Sequence, residues 1–377
     1  MVIGVPREIH RHEHRVGLNP FAVSRLVQQG HTVFVENRAG ETAHFTDRNY
    51  EDAGGQIVYS PEEAYRRADV VCHVGMLASE ELELVRPGSI ICGFHHLAVA
   101  SREIVDRLIE LETTLISYEL IRAGAGYRPV LVPFSEMGGR MAVQLAAYYL
   151  HVEAGGRGVL LGNVPGVPPP TVLILGAGTV GRSAARQALA SGSHVIVLDD
   201  DLRKLGALNR KFSNQAVTVL AAEERLEQYT PIADVIIGAV LIPGERAPYL
   251  VTEKMVRAMK RGSVIVDVSI DQGGCVETSR PTTLDNPTFK AHGVVHYCVP
   301  NMTANIARTA SRALANAALP FVSELASKGL DDALQENLGL AEGTPLYRGK
   351  IANERVGRAL DIQATPIDRL IVQGSRS

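Results

Sequence analysis

Three glycines carry the most specific chemical signal in this chain. Residues 171–175 read as a buried strand, Gly176-Ala177-Gly178-Thr179-Val180-Gly181 follows at once, and 182–191 has a helical pattern. In that setting the first glycine permits a tight turn and the second lets the backbone approach a pyrophosphate. The third lets helix and strand pack closely, with the phosphate resting on the helix N-terminus. A second strand pattern over 194–198 ends at Asp199, 23 positions after Gly176, near the place of a carboxylate that accepts from ribose hydroxyls. The hexapeptide alone is compatible with a structural turn, whereas strand, turn, helix and acid together predict a dinucleotide site. Asp199, Asp200 and Asp201 would repel a 2′-phosphate, so the expected cofactor is NAD rather than NADP, with Lys204 as a nearby charge of opposite sign. Enzymes and redox sensors both hold dinucleotides this way, so the motif does not name a reaction.

Other groupings offer less. His10, His12 and His14 alternate between polar neighbours and read as a solvated loop rather than a metal site. Cys72, Cys92, Cys275 and Cys298 are widely separated in or beside apolar runs, which predicts buried thiols and no metal knuckle. No Gly-x-Ser-x-Gly elbow or Walker motif is present, so hydrolase and phosphoryl-transfer readings have no support.

The elements that must position these residues follow an α/β rhythm. Strand-like runs at 2–5, 32–36, 69–74, 88–94 and 113–118 alternate with helical patterns over 21–29 and 101–111, the first preceded by Asn19-Pro20. A second unit has strand candidates at 171–175, 194–198, 233–240, 263–268 and 294–299, flanked by long helical patterns over 135–154 and 303–325. The expected architecture is α/β, with two Rossmann-like domains of parallel sheets and a cleft between them. Residues 1–130, completed by 306–377, form a substrate domain and 131–305 an NAD(H)-binding domain. The tail from about residue 338 has weak periodicity and is expected to be partly loose. The chain has 377 residues, 46% hydrophobic and 21% charged, with a net charge of −3; that is ample for two cores and shows no basic bias toward nucleic acid or an anionic membrane. Charge at Arg7 and Glu8 where a signal peptide needs apolar residues predicts a cytoplasmic protein.

Six ordered segments make the chain resemble the alanine dehydrogenase and transhydrogenase family, the alanine dehydrogenase branch more closely. They are Gly4-Val5-Pro6-Arg7-Glu8 with Glu13-His14-Arg15-Val16, then Phe94-His95-His96-Leu97-Ala98, Pro133-Phe134-Ser135-Glu136, residues 238–244, residues 267–275, and Tyr297-Cys298-Val299-Pro300-Asn301-Met302. The resemblance implies that Arg15 holds a substrate carboxylate, for which a planar guanidinium fork is suited. It implies that His96 is the acid/base group, a role histidine suits because imidazole as a residue type exchanges protons near neutral pH. It places Asp271 near the reacting carbon. Ser135, Gly176, Gly178, Thr179, Val180, Gly181, Asp199, Lys204, Val240, Leu241, Ile270, Arg280, Asn301 and Met302 are implied near the cofactor.

One departure stands out. Alanine dehydrogenases carry a pocket lysine in a Lys-Val-Lys-Glu-Pro-like segment, and the aligned residues here are His73-Val74-Gly75-Met76-Leu77, which puts Gly75 at the lysine position. The resemblance implies that this lysine polarises the substrate oxo group, so its absence removes a charge-assisted hydrogen bond and opens space. His73 and His95 are the replacement donors to examine. The expected function is NAD-dependent interconversion of a small L-amino acid with its 2-oxo acid and ammonia. The alternatives are a reductase of a larger carbonyl or imine, and an NAD(H)-binding protein without catalysis. The resemblance also implies a homo-oligomer, often a hexamer in the family.

Overall fold

The computed structural model describes residues 1–124, 126–240 and 247–374, the last three in backbone only. The chain divides into two compact units, Met1–Pro133 with Ala304–Ser377, and Phe134–Thr303.

The first unit opens with β1 (Val2–Val5), β2 (Thr32–Glu36), β3 (Gln56–Val58), β4 (Val70–Cys72), β5 (Ile90–Gly93) and β6 (Thr114–Ser117), all parallel in the order β6-β5-β4-β1-β2-β3. Helices cover a parallel sheet on both faces, so β1, β4 and β5 are continuous apolar runs, and these three with β6 bury almost every residue. The helix Pro20–Gln28 between β1 and β2 starts as its residues dictate: Asn19 accepts from the Ala22 N–H and Pro20 fills a position needing no donor. Because β1 lies between β2 and β4, the chain leaves β1 toward one side of the sheet and leaves β4 toward the other. A crevice forms where connections diverge in this way, at the carboxyl ends of the two strands. The segments after β1 and β4 carry Glu8–Arg15 and His73–Met76.

The second unit holds β7 (Thr171–Leu175), β8 (His194–Asp199), β9 (Val217–Leu220), β10 (Val235–Gly238), β11 (Val264–Asp267), β12 (Thr288–Ala291) and β13 (Val294–Tyr297), in the order β12-β13-β11-β10-β7-β8-β9. Only β12 is antiparallel. The divergence point lies between β7 and β10, and the glycine turn leaves the end of β7.

Among the described residues the tail is packed over 338–362. Two-residue strands Leu346–Tyr347 and Lys350–Ile351 form a hairpin that pairs antiparallel with β6, and Leu346 and Ile351 join the core of Val71, Ile91 and Leu115. Each such buried aliphatic side chain contributes about 1.5–3 kcal/mol, enough to hold a segment with little periodicity. The long helices also shift from expectation: one spans Leu131–Tyr149 and the other Ala307–Lys328, after a 3-10 turn at Met302–Ile306. Among the described residues no helix is long and apolar enough to cross a membrane. All four cysteines are buried and free.

Candidate active site

Each glycine of the 176–181 turn answers a different steric demand. Gly176 has φ 105° and a Cβ there would meet the Ala239 carbonyl oxygen at 2.5 Å, so the turn lies hard against the end of β10. A Cβ on Gly181 would overlap the Gly176 carbonyl oxygen. At Gly178 a Cβ would touch nothing within 4 Å, so this glycine faces open space at the start of the helix Thr179–Ala190. An open second glycine between two crowded ones is the shape that admits a pyrophosphate.

Asp199 ends β8 and is buried. Its Oδ2 accepts the Ala177 N–H at 2.7 Å and its Oδ1 the Asp201 N–H at 2.8 Å, with Lys204 Nζ at 3.4 Å. The carboxylate therefore ties the glycine turn to the end of β8 and retains lone pairs for ribose hydroxyls. Asp201 is otherwise engaged: it caps the next helix and pairs with Arg203.

The loops after β10, β11 and β13 interlock. The Val240 N–H donates to Ser269 Oγ at 3.0 Å, and Asp271 Oδ1 accepts the Asn301 N–H at 3.0 Å, Asn301 having a left-handed backbone with φ 52°. Asp271 is exposed, while Ile270 before it and Met302 after Asn301 are buried. Ser135 lies on the helix Leu131–Tyr149, one turn before Gly138, whose Cβ position is 3.6 Å from Val268 and 4.0 Å from Met302 Sδ. A Cβ on the next glycine, Gly139, would overlap the Val180 carbonyl oxygen. The fold thus gathers Ser135, Thr179, Val180, Val240, Ile270 and Met302 around the strand ends. Arg280 lies over the Phe289 ring of edge strand β12, 4.5 Å from its centroid. Leu241 lies outside the described residues.

In the first unit, Arg15 is buried and its Nε donates to Glu13 Oε1 at 2.7 Å while Nη2 bonds Glu13 Oε2. Burial works to raise the Glu13 carboxyl, but the hydrogen bonds and charge of Arg15 outweigh it and hold the acid ionised. Glu13 therefore orients the guanidinium. His96 is exposed, with a left-handed backbone at φ 43°, a conformation costing about 1–2 kcal/mol for a residue with a Cβ. Its backbone N–H donates to buried Glu119 Oε1 at 2.8 Å, and its ring stacks on Phe94 at 6.4 Å between centroids. Strain held by a buried carboxylate is typical of a residue positioned for chemistry.

His73 and His95 do not replace the lysine as donors. His73 is fully buried with both nitrogens engaged, Nδ1 by Gly75 O and Glu8 Oε1 and Nε2 by Glu81 Oε1. Buried His95 places Nε2 3.1 Å from the Ile91 carbonyl oxygen, which only accepts, so Nε2 carries the proton. Desolvation pushes its pKa down to about 3, leaving Nδ1 an acceptor. Gly75 is half-buried, has no positive φ, and its Cβ position meets nothing within 4 Å. Sequence reasoning missed Glu8, Glu13, Glu81 and Glu119 as parts of this region, although Glu8 and Glu13 lie inside the segments that carry the resemblance.

This geometry agrees with known proteins along almost the whole chain. The family descriptions "Alanine dehydrogenase/PNT, N-terminal domain" and "Alanine dehydrogenase/PNT, C-terminal domain" match residues 4–138 and 142–354. The chain belongs to the alanine dehydrogenase/PNT family. Alanine dehydrogenase of Mycolicibacterium smegmatis is 41% identical over 365 residues, covering 97% of this chain and 98% of the relative. A solved L-alanine dehydrogenase superimposes with a TM-score of 0.91 at 42% identity, covering 96% of this chain and 99% of that one. A transhydrogenase structure from Sinorhizobium meliloti shares the fold at 23% identity, with a TM-score of 0.80 over 94% and 99% of the two chains. This family member is an NAD-dependent dehydrogenase, and its α/β fold of two mostly parallel sheets is that of the alanine dehydrogenases.

Proposed function

We propose that the enzyme interconverts a small L-amino acid with its 2-oxo acid and ammonia, using NAD(H). The observation that carries this reading is the near-complete collinear likeness to alanine dehydrogenases, joined to a glycine turn whose second glycine opens on free space. Gly176, Gly178, Thr179, Val180 and Gly181 would hold the pyrophosphate, Asp199 the adenosine ribose, and Ser135, Val240, Ile270, Asn301 and Met302 the nicotinamide side. Leu241, Lys204 and Arg280 are proposed as further contacts of the cofactor. When bound, the nicotinamide accepts or returns the hydride of the substrate α-carbon.

The chain's own residues do the rest. Arg15, oriented by Glu13, anchors the substrate carboxylate. His96 takes and returns substrate protons through its imidazole, which stacks on Phe94 while Glu119 holds the backbone N–H of the same residue. Asp271 orients the water that attacks the imine. The open space beside Gly75 favours a 2-oxo acid larger than pyruvate, its extra atoms lying near Gly75 and Met76. The same space supports the second reading, reduction of a larger carbonyl or imine. By resemblance we also propose a cytoplasmic homo-oligomer. Incubation with NAD+ and single L-amino acids, with ammonia and NADH both quantified, tests the main reading. Stoichiometric release of the two supports it, and NADH formation without ammonia favours the second.

A further inference from the structure

Three ionisable side chains at the strand ends of the first unit have no part in the proposed roles. Glu8 follows β1, His73 follows β4, and Glu81 lies on the short helix Ser79–Leu82; their side chains are 2%, 0% and 3% exposed. His73 Nε2 is 3.0 Å from Glu81 Oε1, which also accepts the Tyr65 hydroxyl at 2.8 Å, while Glu81 Oε2 accepts the Ala78 N–H at 2.8 Å. Burial works to raise the Glu81 carboxyl, but the hydrogen bond and charge of His73 with the Ala78 and Tyr65 donors outweigh it and hold Glu81 ionised, so the proton of that contact is on Nε2. His73 Nδ1 lies 3.1 Å from the Gly75 carbonyl oxygen and 3.2 Å from Glu8 Oε1. A carbonyl only accepts, so Nδ1 is protonated too, and His73 is an imidazolium. Its pKa agrees: burial alone would lower it, but the charges of Glu8 and Glu81 with their hydrogen bonds raise it to about 9.

Glu8 is satisfied on one side only. Its Oε1 accepts the Val74 N–H at 2.6 Å and faces His73, but its buried Oε2 has no hydrogen-bond partner among the described residues. A buried carboxylate oxygen without a donor is strongly unfavourable. The charges around it are also unequal. Glu8, Glu13 and Glu81 face Arg15 and His73, three carboxylates against two cations, while Glu36 close by is matched by Arg7. Among the described ion pairs the group counts one cation fewer than carboxylates. Gly75, which shares His73 Nδ1 with Glu8, supplies none and leaves open space beside it. The shortage shows in Glu8 itself: burial outweighs His73 and raises its carboxyl to about 7.

We propose that Glu8 is the ammonium subsite of this enzyme, its unpartnered Oε2 accepting an N–H of the substrate α-ammonium, or of ammonium in the reverse direction, while His73 is the positioning residue that fixes Oε1. The inference rests on the amino-acid reading given under Proposed function.

Steady-state kinetics of Glu8→Gln and Glu8→Asp test it, with ammonium chloride varied at saturating pyruvate or 2-oxobutyrate and NADH. Gln keeps an oxygen for Val74 and His73 and turns an amide toward the ammonium. The expected result is a rise of about 10- to 100-fold in the KM for ammonium in Glu8→Gln and a smaller rise in Glu8→Asp. The KM for the 2-oxo acid and the Kd for NADH should stay within about twofold, a split that a merely structural role would not produce. Equal changes in both KM values, or none, overturn the subsite. Should Glu8→Gln fail to fold, wild type decides: its KM for L-alanine must rise as pH falls through about 7 with NADH affinity constant, and a flat KM overturns the subsite. Wild type without ammonium-dependent turnover on any 2-oxo acid overturns the functional reading, which separates that failure from failure of the subsite alone.

Discussion

Gly75→Lys is the substitution with the most to say about substrate choice. The backbone at residue 75 has no positive φ and an added Cβ meets no atom within 4 Å, so the lysine enters without strain at its root. A charge-assisted hydrogen bond to the substrate oxo group contributes about 1.5–3 kcal/mol, equal to roughly 10- to 150-fold in kcat/KM. Ordering a lysine side chain takes back up to about 2 kcal/mol, which places the expected gain for pyruvate at the lower end of that range. The gain should fall on the KM of the 2-oxo acid and not on that of ammonium, because the new cation also neutralises Glu8. The side chain fills the space beside Gly75, so 2-oxobutyrate and 2-oxovalerate should lose activity in the same variant. The assay is NADH oxidation at saturating ammonium with each acid varied, alongside a melting curve to show that the variant is folded. An unchanged preference among the three acids in a folded variant would refute the reasoning, as would a wild type already faster with pyruvate than with any longer acid.

Three further outcomes follow from the same geometry. His96→Ala should retain NADH affinity and lose turnover by about 10²- to 10⁴-fold in stopped-flow hydride transfer, and near-normal rates would remove His96 from the mechanism. Wild type should bind NADH at least about tenfold more tightly than NADPH in a fluorescence titration. Asp199→Ala should narrow that gap while weakening both, since the buried Ala177 N–H loses its acceptor. The His73 imidazolium binds its proton more tightly in the folded chain, about 9 against 6.5, so its stabilisation is complete below pH 6.5 and lost as pH rises through 9, up to about 3 kcal/mol. Glu8, raised to about 7, acts with the same sign between about pH 4.5 and 7. Denaturant unfolding at pH 6 and pH 9 should show the loss, and His73→Gln should flatten it.

The parts of this fold that were legible in the sequence are those with a local cause. Buried strands such as β1, β5, β7 and β8 read as short apolar runs, and Asn19-Pro20 marks a helix start by its own chemistry. The strands that escaped, β3, β9 and β12, are all sheet edges; β9 and β12 leave most of their residues partly or fully exposed, and edges lack the apolar continuity that marks central strands. The tail hairpin escaped because two-residue strands have no period to read. At the site, the glycine turn was legible because each glycine obeys a steric rule. The partners of the charged residues were not: Glu8 meets Val74 across 66 positions and His96 meets Glu119 across 23, pairings that exist only once the parallel strands lie side by side.

The most direct measurement is NADH oxidation by the purified protein with a panel of 2-oxo acids, each with and without ammonium, repeated with NADPH. The enzyme should oxidise the nicotinamide only with both a 2-oxo acid and ammonium present, prefer NADH, and yield the matching L-amino acid. Tight NADH binding with no ammonium-dependent oxidation of any acid in the panel would contradict it.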